Sequence, residues 1–242
     1  MSDDWTAKLV AAHRANSRFV PEGAGPQNFD DAYRIQSGVC REMGAVGGFK
    51  TARKLGEEPI MAPIFAASVV PSGAQLNVAD MMGIELEVGL RILSDLPDDF
   101  AMVPEGDLAA YLQPVAVIEL VDTRFDGPLS QNPLVKLADN QINFGLVVGG
   151  EVQAWDGRDI GVVEAQLRAG DDQVLSGTTT VPGGSALETF AALARRIGNH
   201  CGGLRKGQIV ITGSLHPLVY YPKGCEVEGE IAGIGTVKVT LA

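Results

Sequence analysis

Gly83-Ile-Glu-Leu-Glu-Val-Gly-Leu90 is an apolar run that carries two carboxylates. It reads as a strand, and a strand alternates its side chains between two faces. Glu85 and Glu87 therefore share one face, while Ile84, Leu86, Val88, Leu90 and Ile92 take the other. A second run, Pro114-Val-Ala-Val-Ile-Glu-Leu120, holds Glu119 and reads as a strand buried on both faces. A bare Glu-x-Glu is more often a solvent-facing pair beside Lys or Arg. The apolar flanks of Glu119 argue against that here, because a lone buried charge is costly and close carboxylates repel. A hard divalent cation fits such a set best, since Mg2+ and Mn2+ prefer oxygen ligands. Glu85, Glu87 and Glu119 are the expected metal ligands.

Outward from these runs, most of the chain after residue 64 reads as strands. The candidates are 64–70, 74–77, 84–93, 114–121, 143–149, 160–168, 174–180, 208–212, 218–221, 225–231 and 235–241. Helices are expected at 4–17, 29–43, 105–112, 131–138 and 185–200. The last begins with the capping box Ser185-Ala-Leu-Glu188 and is followed by Gly202-Gly203. A short strand follows Gly47-Gly48 and contains Lys50. The pattern predicts an α+β chain: a helical N-terminal region over 1–63 and a metal-binding β domain over 64–242. The strands lack the regular alternation with helices that a TIM barrel needs.

The balance of 19 basic against 30 acidic residues gives a net charge of −11, which argues against a nucleic-acid surface. No apolar stretch approaches the roughly 18 residues of a membrane span, and Met1-Ser-Asp-Asp-Trp5 lacks the basic n-region of a signal peptide. Cys40, Cys201 and Cys225 form no CxxC pair and are odd in number, so a disulfide framework or zinc site is not expected. A cytoplasmic setting is the natural reading. There is no Gly-x-Ser-x-Gly, no Gly-x-Gly-x-x-Gly and no P-loop.

Other polar positions are candidates of lower specificity. Lys50 is either an exposed loop lysine or a cation beside the metal that binds a substrate carboxylate or moves a proton. Asp139 and Asn140 lie at a helix-to-strand junction, where both types also favour plain turns. Thr212-Gly-Ser-Leu-His-Pro217 follows a buried-looking strand and offers Ser214 and His216. His13 and His200 fall on expected helices and read as packing or surface residues.

Taken in order, several segments resemble one family. They are Gly48-Phe-Lys50, Ile84-Glu-Leu-Glu-Val88, Ala116-Val-Ile-Glu-Leu-Val-Asp-Thr-Arg124 and Ala138-Asp-Asn140. Ile209-Val-Ile-Thr-Gly-Ser214 and Gly229-Glu-Ile-Ala-Gly-Ile-Gly-Thr-Val237 complete the set. The chain resembles the 2-keto-4-pentenoate hydratases, of the hydratase–decarboxylase branch of the fumarylacetoacetate hydrolase superfamily. The resemblance implies a mixed β-sandwich roll with a small N-terminal helical region. It implies Mg2+ or Mn2+ on the carboxylates matching Glu85, Glu87 and Glu119, with Lys50 matching the family's lysine. It also implies a homo-oligomer, with association with a related decarboxylase as a further expectation. The wording after Lys50 departs from the family, which usually continues Val-Gly.

The resemblance implies a small 2-oxo or 2-hydroxydienoate acid as substrate and water addition as the reaction. Lys50, Asp139 and Ser214 are the expected catalytic residues, and Arg53, Arg124 and Asn140 the expected substrate contacts. Decarboxylation of a 2-oxo diacid and acylpyruvate-type C–C hydrolysis use the same electron sink. The hydrolases normally add a His–Glu pair, for which the N-terminal region offers only His13. A partner subunit without activity would lose carboxylate ligands; this chain keeps all three.

Overall fold

Two β-sheets make up most of the molecule, which is a computed structural model describing residues 2–53, 58–97, 99–152 and 154–242. The elements run α1 (Ser2–Ala15), α2 (Phe29–Met43), β1 (Val46–Ala52), β2 (Ile60–Phe65), β3 (Val69–Pro71), β4 (Ala74–Leu76), β5 (Met81–Ile92) and β6 (Leu112–Val121). They continue with α3 (Pro133–Ala138), β7 (Asn143–Glu151), β8 (Val162–Ala169), β9 (Asp172–Thr180), α4 (Ala186–Ile197), β10 (Ile209–Ser214), β11 (Val219–Pro222), β12 (Glu226–Ile231) and β13 (Gly235–Leu241). The larger sheet has the order β2-β1-β10-β5-β6-β7-β3, with β11 also on β5; the smaller has the order β4-β13-β12-β8-β9.

The strand expected over 64–70 is interrupted by a 3-10 turn, Ala66–Ser68. That turn is informative, because β2 and β3 lie at opposite edges of the larger sheet. Three residues span only about 10 Å, so the edges must meet and the sheet must close into a roll. Close packing confirms the closure: a Cβ on Gly47 of β1 would lie 2.8 Å from Val69 of β3. The expected helix at 105–112 is a 3-10 segment, Glu105–Ala110. The boundary expected after residue 63 falls inside β2, and both β1 and β2 belong to the roll.

Register then separates the two faces. One face carries Phe49, Ile84, Leu86, Val88, Leu90, Ile118 and Val210, packed against Leu167, Val227, Val237 and Val239 of the smaller sheet. The sheets approach closely where Gly229 meets Leu86. The face inside the roll is filled by Ile64, Val115, Val117, Leu146, Ile209 and Ile211. Strands β5 and β6 are therefore buried on both faces, whereas β8 alternates buried and exposed positions along its whole length. Helices α1, α2 and α3 form a separate apolar cluster with Phe65 and Phe125. Side-chain caps start three helices: Asn28 for α2, Asn132 for α3 and Ser185 for α4.

Gly48 permits the parallel pairing of β1 with β10. A Cβ there would lie 2.0 Å from the Ile209 carbonyl oxygen. Gly48→Ala is expected to cost about 2 kcal/mol or more by forcing backbone apart, and to displace Lys50 two residues on. Urea denaturation measures the first effect; a midpoint equal to that of the parent chain would contradict it.

Candidate metal and carboxylate site

Glu85 and Glu119 are directly opposed in the β5–β6 ladder, with Glu87 opposite Val117. All three carboxylates point into the roll beside its apolar filling. A ligand oxygen from each lies within 4.8 Å of the other two, the one such group of three potential ligands among the described residues. Lys50 reaches the same place through register: it pairs with Ile211 of β10, which pairs with Gly89 of β5. Its Nζ lies 2.7 Å from Glu119 Oε1.

Two bulges aim further donors at the carboxylates. In β10 the pairing shifts between Ile211 and Ser214, and the Gly213 amide donates to Glu87 Oε2 at 2.7 Å. Gly213 has φ +105, a conformation open to glycine. In β7 the pairing shifts at Asn143, whose Nδ2 donates to Glu119 Oε1 at 2.7 Å. Ahead of it, Asn140, Gln141 and Ile142 have φ of 50°, 53° and 56°. Three successive non-glycine residues in the left-handed region store strain. The strain presents the Gln141 carbonyl to Lys50 Nζ at 3.3 Å.

The electrostatics are unbalanced. Burial, then repulsion from Glu119, pushes Glu85 up to about 7 against the pull of Lys50. Burial and the other two carboxylates hold Glu87 well above the usual range. Burial works against the Lys50 charge, but the three carboxylates outweigh it and raise its affinity for the proton. Glu119 Oε2 is buried without a hydrogen-bond partner. The buried carboxylates of Glu87 and Glu119, the half-buried one of Glu85, one lysine and an orphaned carboxylate oxygen make a donor set that suits a hard divalent cation.

The remaining sequence candidates have other partners. Asp139 is fully buried and accepts from Arg124 Nε at 2.6 Å and from the Arg124 amide at 2.9 Å. These two residues are thereby committed to each other, because burial demands a counter-charge for each. Arg53 donates to the Gly183 carbonyl at 2.7 Å and pairs with Glu188 at 2.5 Å, tying it to the start of α4. The Ser214 hydroxyl donates to the His216 carbonyl at 2.6 Å, supporting its own loop. His216 accepts from the Leu86 amide through Nε2 at 3.0 Å, while Nδ1 meets the Pro217 carbonyl at 2.7 Å. Both ring nitrogens are spent bridging β5 to the loop. Asn140 is buried, with Oδ1 unpartnered. Of the stretch after Lys50, positions 54–57 lie outside the described residues.

Asn143 and the Gly213 amide join the site without a motif that marks them in the sequence. Asn143 gives a faint signal as an amide within the Leu137–Gly145 segment. The Gly213 amide gives none, because its direction depends on a bulge. Tyr220 pairs with Gly83 at the Glu85 end of the roll. A cavity of about 270 Å³, lined by Ala52, Glu58, Ile60, Pro133, Leu137 and Gln141 among others, shares only Gln141 with the surroundings of Lys50.

His13 of α1 is buried against Phe65, with Nε2 3.6 Å from Asp139 Oδ1. Burial, then the charge of Arg124, pushes its pKa down from 6.5 to about 2. The unfolded chain therefore takes up a proton that the native state refuses. Stability is full above pH 6.5 and is lost as pH falls. Asp139, raised to about 6 chiefly by burial, acts in the opposite direction in part of this window. In His13→Gln the fall in stability from pH 6.5 to about pH 5 should be smaller by about 1 kcal/mol per pH unit. Unfolding free energies at several pH values check this; parallel curves for the two proteins would refute it.

Comparison with known proteins agrees with this architecture. No protein-family model matches the chain. The chain is 26% identical over 260 residues to 2-keto-4-pentenoate hydratase 1 of Dechloromonas aromatica (strain RCB), covering 100% of this chain and 98% of that protein. It is 30% identical over 190 residues to 2-keto-4-pentenoate hydratase of Burkholderia vietnamiensis, covering 76% of this chain and 71% of that one. Among solved structures, 4-oxalocrotonate decarboxylase from Pseudomonas putida G7, complexed with magnesium and adipate, superposes with a TM-score of 0.74. It shares 18% identity and covers 100% of this chain and 98% of that one. Fumarylpyruvate hydrolase from Pseudomonas aeruginosa, with Mn2+ and pyruvate, gives 0.56 at 16% identity over 80% and 88%. Fold and relatives define an enzyme of the hydratase–decarboxylase branch of the fumarylacetoacetate hydrolase superfamily. Within that branch the chain belongs to the 2-keto-4-pentenoate hydratase family.

Proposed function

We propose that this protein is a divalent-metal-dependent hydratase that adds water to a 2-hydroxy-2,4-dienoate, giving a 4-hydroxy-2-oxo acid. The observation that carries the reading is the gathering of Glu85, Glu87 and Glu119 within 4.8 Å, with Lys50 at 2.7 Å from Glu119. Those three glutamates would hold Mg2+ or Mn2+. When bound, the ion supplies a Lewis acid and a template for the substrate's carboxylate and its 2-oxygen.

The chain's own groups do the rest. The Gly213 amide and the Asn143 side chain fix the orientation of Glu87 and Glu119. Lys50 keeps its proton beside the carboxylates, so it serves as a cation for the substrate carboxylate or as a proton donor, not as a base. The dienol passes its 2-hydroxyl proton to the terminal carbon, leaving an α,β-unsaturated ketone. Water then adds at C4 and a proton at C3. The apolar residues beside the carboxylates, Val117 and Ile211 among them, suit the hydrocarbon part of such a substrate.

Hydration is favoured over diacid decarboxylation by the arginines. Arg53 and Arg124, the cations the sequence offers for a distal carboxylate, are both paired with protein carboxylates. C–C hydrolysis finds no support from His13, which packs against Phe65 and Asp139. A cytoplasmic homo-oligomer active in the breakdown of aromatic compounds, with association with a related decarboxylase, belongs to the same reading. Light scattering of the purified protein tests the assembly.

The deciding experiment is a spectrophotometric assay with 2-hydroxypenta-2,4-dienoate, with and without Mg2+ or Mn2+, with the product identified by mass. Metal-dependent loss of the dienol absorbance and gain of one water is the expected result. Metal binding without turnover of this substrate, but with release of CO2 from a 2-oxo diacid, would replace hydration by decarboxylation.

A further inference from the structure

A second reactive cluster lies away from the carboxylates. Cys40, in the last turn of α2, and Cys201, in the 3-10 turn His200–Gly202 after α4, open onto one cavity of about 620 Å³. Ser37, Arg41, Arg205 and Gln208 also line it. Cys201 has φ 49, a left-handed conformation held on a tight turn. Its Sγ lies 3.5 Å from His200 Nε2.

The surroundings set the roles of the groups. The Gln36 side-chain nitrogen donates to the Met61 and Leu137 carbonyls, so its Oε1 is an acceptor. That oxygen lies 2.9 Å from His200 Nε2, which must therefore carry the proton. His200 Nδ1 then accepts from the Ser37 hydroxyl at 3.3 Å. The imidazole thus presents an N–H beside the Cys201 sulfur, and Arg41 and Arg205 add positive charge to the cavity wall.

We propose that Cys40 and Cys201 form a peroxide-reactive dithiol, in which Cys201 attacks and Cys40 resolves. The neighbouring Cys40 thiol, then the His200 N–H, pull Cys201 down to about 6 against the effect of burial. The neighbouring Cys201 and burial hold Cys40 protonated. Thiolate at one sulfur and thiol at its neighbour is the arrangement a two-step oxidation requires. The Cys201 thiolate attacks a hydroperoxide oxygen; the O–O bond breaks, an S–O bond forms, and the displaced oxygen leaves as water after taking a proton. Cys40 sulfur then attacks Cys201 sulfur; the S–O bond breaks, the S–S bond forms, and a second water leaves. Two thiols lose two electrons and hydrogen peroxide becomes two waters. The bridge would pin α2 to the segment leading into β10. In a reducing compartment it would form only when peroxide appears.

Cys225 serves as an internal reference, since burial and the nearby Asp172 and Glu226 charges raise its pKa. The experiment treats the full chain with equimolar hydrogen peroxide, alkylates the remaining thiols and maps them by mass spectrometry over time. The expected result is loss of two hydrogens, a Cys40–Cys201 peptide link reversed by dithiothreitol, and Cys201 consumed about tenfold faster than Cys225. In Cys40→Ser, a sulfenic acid at Cys201 should be trapped by dimedone. In Cys201→Ser, Cys40 should remain reduced. Equal rates at Cys201 and Cys225, or oxidation of Cys201 in the parent chain without a link to Cys40, would overturn the proposal. The parent time course decides the question even if a variant fails to fold.

Discussion

Glu87→Gln is expected to lose about a thousandfold or more in kcat while folding as well as the parent chain. The loss follows from the ligand set: an amide replaces one of three anionic oxygens, and metal Lewis acidity supplies several kcal/mol of transition-state stabilisation. The fold survives because the glutamine carbonyl still accepts from the Gly213 amide, which now meets Glu87 Oε2 at 2.7 Å. Stability without metal should rise. Glu87 is 2% exposed and shares the roll with two other carboxylates, so removing its charge relieves both desolvation and repulsion. Functional sites often carry such a cost. Thermal unfolding with and without Mn2+ reads both effects. The parent should gain a large metal-dependent shift in Tm, and the variant should start higher and gain little. An undiminished metal shift together with full activity would dispose of the carboxylate site.

Asp139→Asn is expected to cost about 1–3 kcal/mol of stability, less than the full loss of a buried pair because burial already disfavours the Asp139 charge. Asp139 is fully buried and Arg124 is 4% exposed. The guanidinium donates through Nε to the Asp139 carboxylate at 2.6 Å and through Nη2 to the Asp139 carbonyl at 3.1 Å. Nη1 is already without a partner. An asparagine leaves the arginine charge buried and uncompensated, which costs more than the pair was worth. Replacing both, as in Asp139→Asn with Arg124→Met, should recover much of the loss, because an apolar side chain needs no counter-charge. A urea midpoint shift with an unchanged m-value is the expected signature. The metal-dependent Tm shift should persist in whatever fraction folds, which separates a structural role from a catalytic one. A loss below about 1 kcal/mol would remove the account of this pair.

How legible the site was depends on which residues are considered. The alternation that puts Glu85 and Glu87 on one face is a property of any single strand and needs no tertiary information. The apolar flanks of Glu119 marked it as buried for the same local reason. The start of α4 at Ser185 was visible because a cap acts within three residues. By contrast, the pairing of Glu119 with Glu85 is a matter of register between two strands 34 positions apart, read as 119 minus 85 from the ladder. A slip of one residue would have put Glu119 on the other face.

Lys50 reaches the carboxylates only because β1 pairs in parallel with β10, far along the chain. The Gly213 amide and Asn143 reach them only because bulges turn the backbone locally. Arg53, Arg124 and Asp139 carried suitable chemistry for a site, and the fold used their charges to satisfy one another or the start of α4. Cys40 and Cys201 show no pairing motif in sequence and line one cavity in space. The sequence by itself determined most of the elements, the shared face of Glu85 and Glu87 and the burial of Glu119, because hydrophobic period and capping act over a few residues. The tertiary structure decided which of those groups meet, because closure of the roll, strand register and bulges depend on contacts between segments far apart in the chain.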